Sequence, residues 1–290
     1  MNKLLSLALG AACSVGCGGA WAQTPAANPM PDGSRDMYVG LGAVSAPRYE
    51  GAGSRKVSAL PVLQVQWSSG FFVSGMSAGL HLGVSPTFEF GPLLAVLPGR
   101  DESGSGTGLD GIGPNAVAGL TSGPLDKSAM LMRGGQLTGI AEIGARLQGG
   151  VFANYYLTPQ WRLTGNALYG SGREHDGARL QLGVQRLAAS LGERHHVALS
   201  AGLTLANRND NQTYFGVTAL EASRSRFAQY AAGGGLRDAH LGLRWNWTWT
   251  PSWLLTTNVQ AERLLGSAKD SPLVERPTNV TVSTAIGYRF

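Results

Sequence analysis

The chain has 290 residues, 42 of them glycine, with 14% charged residues, a net charge of +5 and a mean hydropathy of −0.03. That length suits one domain or one barrel, and its Lys and Arg are scattered, without the basic block that marks nucleic-acid binding. Both cysteines, Cys13 and Cys17, lie in the first segment described below, so the rest of the chain offers no thiol for disulfides, thiol catalysis or zinc-thiolate sites.

The first segment reads as an export signal. Lys3 gives a positive start, Leu4 to Val15 an apolar stretch too short to span a bilayer, and Ala20-Trp21-Ala22 a small-x-small cleavage site before Gln23. Cleavage between Ala22 and Gln23 is expected. Cys17 follows Ser-Val-Gly without the leucine of a lipoprotein box, so lipidation is not expected. Residues 23–36, rich in Pro, Asn and Ala, read as a flexible periplasmic leader.

From residue 37 onward the pattern has a period of two, as on a strand with unlike faces. Leu63, Val65 and Trp67 oppose Gln64 and Gln66, and Gly70 to Leu97 holds two or three further strands. Residues 98–135 are the least strand-like. The Gly/Ser run Glu102 to Gly108 lacks the lysine and Ser/Thr of a phosphate loop and reads as a flexible loop. Leu137, Gly139, Ala141, Ile143, Ala145 and Leu147 then oppose Glu142, Arg146 and Gln148, which predicts a strand.

After the turn Leu157 to Trp161, Leu163, Gly165, Ala167 and Tyr169 oppose Arg162, Thr164 and Asn166. Residues 178–187 and 196–205 alternate in the same way, with loops near 170–177 and 206–230. In 235–249, Leu241, Leu243, Trp245, Trp247 and Trp249 share one face. Three same-face tryptophans are costly in water and at home in the aromatic girdle of a membrane barrel. A proline turn at Thr250-Pro251-Ser252 leads to Trp253, Leu255, Thr257 and Val259. The last strand places Val280, Val282, Ile286, Tyr288 and Phe290 on one face, like the closing strand of outer-membrane barrels. Val282, Ile286, Tyr288 and Phe290 are the pattern the barrel-assembly machinery would engage. The predicted fold is all-β, an antiparallel transmembrane barrel of roughly ten to twelve strands over residues 37–290, in contact with outer-membrane lipid.

The predicted lumen face carries Glu142, Arg146, Arg162, Arg179, Arg244, Glu262 and Arg289, charges that either line a pore or neutralise one another in a filled interior. Catalysis needs a nucleophile with a base in reach. His196 and Ser200 share a face but sit about 13 Å apart along one strand, and His175, between Glu174 and Asp176, reads as a solvated tip. No catalytic residue, metal or cofactor is assigned.

Three blocks carry a family resemblance. Arg263 to Glu275 (RLLGSAKDSPLVE), Tyr214 to Val217 (YFGV) and Gly287 to Phe290 (GYRF), with Pro47 to Gly51 followed by Pro61, together resemble the MipA/OmpV family. The resemblance implies an outer-membrane barrel. For the best-known member it implies a scaffold that joins a murein hydrolase, a lytic transglycosylase, to a penicillin-binding murein synthase. Other members are adhesins or general outer-membrane proteins, and a small-molecule channel remains the alternative. The leucines of the RLLG…SP block are expected to pack onto the barrel rim.

Overall fold

The computed structural model describes residues 35–85, 87–105 and 136–289. The predicted cleavage site at Ala22 and Gln23, the leader to residue 34, and Phe290 lie outside them, as does most of 98–135.

In chain order the strands are β1 (Arg35–Pro47), β2 (Arg55–Trp67), β3 (Phe71–Ser74), β4 (Ser77–Leu80), β5 (Leu82–Ser85) and β6 (Phe88–Leu97). A small hairpin, β7 (Arg100–Asp101) and β8 (Gly104–Ser105), follows. Then come β9 (Arg146–Thr158), β10 (Trp161–Ser171), β11 (Gly177–Ser190), β12 (His195–Ala206), β13 (Gly235–Thr250), β14 (Trp253–Leu264) and β15 (Thr278–Arg289). Each pairs antiparallel with its neighbour, β15 pairs with β1 from Arg289↔Tyr38 to Val282↔Ser45, and β4 pairs with β6, so the sheet closes on itself. β4 and β5 are one strand interrupted at His81. Opposite the break stands Pro92, which has no N–H to give to a ladder. Counted so, the barrel has twelve strands, the upper end of the expected range.

Closure decides which side chains go where. Around most of the ring the spanning strands are paired on both sides, the ladder being shortest where β2 meets β3 over Gln64–Gln66, and one face can be oily. Leu41, Val57, Leu147, Val151, Leu182, Leu241 and Ile286 point outward, Leu41 being 73% exposed. Trp245, Trp247 and Trp249 stack along the outside of β13 with centroids 6.4 and 5.7 Å apart, and Trp253 meets Tyr288 at 5.1 Å. These rings form the predicted girdle at the end that carries both strand termini. Val282, Ile286 and Tyr288 are exposed on the outer face of β15. No described helix is long and apolar enough to cross a membrane; the crossing elements are strands.

The two ends differ. At the end with the termini the turns are short: Ser68–Gly70, Pro159–Gln160, Leu191–Arg194 and Pro251–Ser252. At the other end lie segments 48–54, 98–145, 172–176, 207–234 and 265–277. The third of these is a tight hairpin, and the fourth folds into α1 (Arg208–Phe215) and α2 (Ala219–Arg224). The last contains α3 (Gly266–Lys269).

One predicted strand is absent. Residues 137–145 form turns and an isolated bridge between Ile143 and Arg100, and the strand begins only at Arg146. Leu137, Ile140 and Ile143 are buried, so their spacing served packing against other loops. Glu142 is exposed in this loop and does not face the lumen.

Candidate functional site at the barrel mouth

The long loops do not trail into solvent. Tyr49 and Ala52 from 48–54, Leu137 and Ile140 from 98–145, Val217 and Phe227 from 207–234, and Leu273 from 265–277 form one buried cluster. In the ring, the first three of these loops are rooted four strands from one another, a third of the circumference apart. Loops so placed can touch only by crossing the mouth. They form a cap. A second cluster, Phe215, Ala232, Leu264 and Ala268, ties α1 to α3 beneath it. Full burial of each large apolar side chain is worth about 1.5–3 kcal/mol, which makes the cap a packed body.

Two buried carboxylates fasten it. Asp210, on α1, is fully buried and accepts from Ser171 Oγ at 2.5 Å, Arg179 Nε at 2.8 Å and Arg237 Nη1 at 2.9 Å. One loop residue thereby grips β10, β11 and β13. Arg237 also pairs with Glu50 from the opposite loop. Burial pushes the Asp210 carboxyl up, but Arg179, Arg237 and the Ser171 hydroxyl outweigh it and hold the group below the usual aspartate value. The rings of α1 join in: Arg179 lies 4.8 Å over Tyr214 and Arg237 lies 5.1 Å over Phe215.

Glu221 is the second fastener. Thr218 and Glu221 form a capping box at the start of α2, with Thr218 N and Oγ1 donating to Glu221 Oε2 at 2.8 and 2.7 Å. The other oxygen accepts from Ala141 N at 3.0 Å and from Arg173 at 2.5 Å. Burial alone would raise this carboxyl; the donors from Thr218, Ala141 and Arg173 bring it down to about 2. The same carboxylate thus caps a helix and pins two other loops to it.

Arg237 escaped the sequence pattern. The β12–β13 register shifts between Thr204↔Asp238 and Leu205↔Leu236, a bulge that turns Arg237 and Asp238 inward together. Strict alternation with Leu241 and Leu243 would have sent Arg237 into lipid. Asp210 lies in a segment with no strand period. Its sequence signal was the helix start Asn207-x-x-Asp210, where the Asn207 side chain accepts from Asp210 N.

Of the predicted lumen charges, Arg162 (6% exposed), Arg179, Arg244 and Glu262 do face inward, Arg146 sits at the mouth, and Arg289 at the opposite rim. Arg162 donates to Gln185 at 2.9 Å. His196 and Ser200 both face inward on β12, while His240, one strand away, has its Nδ1 3.3 Å from Asp238. His175 has φ 61° at the tip of the 172–176 hairpin and is exposed, as expected.

Of the blocks that carried the family resemblance, Pro47 to Gly51, Tyr214 to Val217 and Arg263 to Glu275 meet in the cap, while Gly287 to Arg289 ends β15 at the opposite end of the barrel. Ser271 of the RLLG…SP block donates to the Phe215 carbonyl at 2.5 Å. Glu275 and Arg276 donate from their backbone to Gly51 O, both at 2.8 Å. Leu264 and Leu273 are dry, packed into the two loop clusters and not onto the rim. A family model described as "MltA-interacting protein MipA" matches residues 39–290. The chain belongs to the MipA family.

No curated protein was found that matches the sequence. Similar solved structures are the NanC porin (9% identity, 88% of this chain and all of that one, TM-score 0.44) and a bacterial polysaccharide outer membrane secretin (10% identity, 88% and 98%, TM-score 0.46). The outer membrane channel DcaP of Acinetobacter baumannii is more distant still (8% identity, 89% and 96%, TM-score 0.36). So distant a likeness says nothing of what this barrel binds or passes.

Proposed function

We propose that this MipA-family barrel is an outer-membrane interaction protein whose partners are murein-remodelling enzymes: a lytic transglycosylase and a penicillin-binding murein synthase. The observation that carries the reading is the packed cap. A barrel whose mouth is bridged by loops from all around its rim and fastened by buried carboxylates rests shut, which favours a docking role over free diffusion. The family description, an MltA-interacting protein, supports the choice of partner. Short turns are typical of the periplasmic side of such barrels, so the end with the termini and its exposed Leu191 is the surface offered to enzymes at the cell wall.

The test is retention of a purified lytic transglycosylase, and with it a murein synthase, on the immobilised full chain in detergent. Retention well above that on an unrelated barrel is expected. Equal retention on both removes the proposal.

A further inference from the structure

We propose that the outer wall at the mouth ends of β1, β2, β14 and β15 is a seat for a membrane lipid whose head carries a phosphate. An arginine pointing outward from a barrel wall is strongly disfavoured in the hydrocarbon and tolerated at the headgroup level. Two stand there. Arg55 opens β2 and Arg263 lies one residue from the end of β14, both exposed on the outward side of their strands. The corresponding ends of β9, β10 and β12 carry Leu147, Tyr169 and Leu205 instead. The register brings the two arginines together. Arg55 reaches across β1, donating from Nε and Nη2 to Ser45 and from Nη1 to Val280 O at 2.6 Å. Arg263 pairs with Thr278, two residues from Val280 and so about 7 Å along the same strand. A third arginine joins them. Arg276 is exposed in segment 265–277, with its Nε 3.7 Å from where a side chain on Gly53 would begin, two residues before Arg55.

Charge and shape select the occupant. Among the described residues, none of these three arginines is ion-paired with a carboxylate. Their neighbour Glu275 is held by Gly53 N at 2.9 Å and by Arg226 at 3.4 Å. The acceptors around Arg55 are neutral, so they fix its guanidinium in place and leave its charge uncompensated. A guanidinium fork so placed fits the oxygens of a phosphate. Toward the middle of the membrane the wall turns apolar. Val57 and Val282, both exposed, flank Ser45 across β1, and the next row is Ala59, Ala43 and Thr284. Small side chains there make a shallow bed for an acyl chain, with the exposed Leu41 beyond it. A cationic end above an apolar bed is complementary to a lipid, charged at its head and oily along its length.

The experiment is native mass spectrometry of the full chain in neutral detergent, titrated with dimyristoylphosphatidic acid or with dimyristoylphosphatidylcholine. The acyl chains are the same; the first lipid bares its phosphate and the second covers it with a cation. The wild type should retain one phosphatidic acid at least about tenfold more tightly than phosphatidylcholine. Arg55→Gln combined with Arg263→Gln should weaken that retention by at least about tenfold. Arg186→Gln, exposed beside Trp161 at the opposite end of the wall, should leave it unchanged. Folding of each barrel is checked by heat-modifiable gel mobility. Arg263→Gln alone, which removes no side-chain hydrogen bond among the described residues, decides by the same loss if the double variant does not fold. Equal retention of the two lipids, an unchanged affinity in the folded variants, or an equal loss in Arg186→Gln overturns the proposal. So does displacement of the lipid by inorganic phosphate, which would mark a site for the free ion. The outcome is independent of whether the chain retains murein enzymes.

Discussion

Glu221 shows how one side chain can organise three loops. Its sequence signal, Thr218-x-x-Glu221, is a legible capping box, but nothing in the spacing of residues tells that Ala141 N and Arg173 will share the carboxylate. The group sits at about 2 in the folded protein against an ordinary 4.5, so its contribution is fully present above 4.5 and is lost as pH falls from 4.5 toward 2. Glu221→Gln should accordingly lower cap stability at neutral pH by something on the order of 3 kcal/mol. The difference in thermal midpoint between variant and wild type, followed by circular dichroism, should shrink toward zero on acidification through that window. A difference that stays constant with pH would show that the carboxylate charge is not what holds α2 down. Arg237 teaches the reverse lesson. The even-numbered charges Arg162, Arg244 and Glu262 were legible because alternation carries them inward, whereas Arg237, four residues before the outward Leu241 and in phase with it, was hidden by a bulge.

At the level of elements, the strands from Trp161 onward were readable almost to the residue, because lipid on one side and water or packed polar groups on the other impose a strict period of two. The loops were not readable for the same reason in negative. Leu137, Gly139, Ala141 and Ile143 recur at the interval of two that suits a strand, and the turn won because partners from 48–54 and 207–234 pack on Leu137 and Ile140. The leucines of Arg263 to Glu275 were placed on the rim for want of any sign that other loops would cover them. The β13 bulge connects the two regimes, since it aims Arg237 at Asp210 while Leu265 N donates to Arg237 O at 2.7 Å. Deleting Arg237 alone should restore alternation and leave a heat-modifiable barrel, yet free segment 207–234 from the wall. Trypsin should then cut after Arg208 and Arg224 at least about tenfold faster, as expected when a buried ion pair loses one partner and its local stability falls by about 3–5 kcal/mol. Unchanged cleavage rates would mean that the apolar clusters hold the cap without the charges.

For the whole molecule, the sequence carried the architecture and the family, but not the fact that Pro47 to Gly51, Tyr214 to Val217 and Arg263 to Glu275 meet over the mouth. Convergence of segments far apart in the chain is a property of ring closure, and no local pattern encodes it. The account stands on a barrel in lipid whose bore is closed from the loop side. Single cysteines at Leu220, 64% exposed on α2, and at Ser200, inward on β12, test this in intact cells with a bulky membrane-impermeant maleimide. Cys13 and Cys17 in the unsubstituted chain set the background. Rapid labelling at 220 with none above background at 200 is the predicted result; equal labelling at both positions, or labelling at 200 alone, would contradict it.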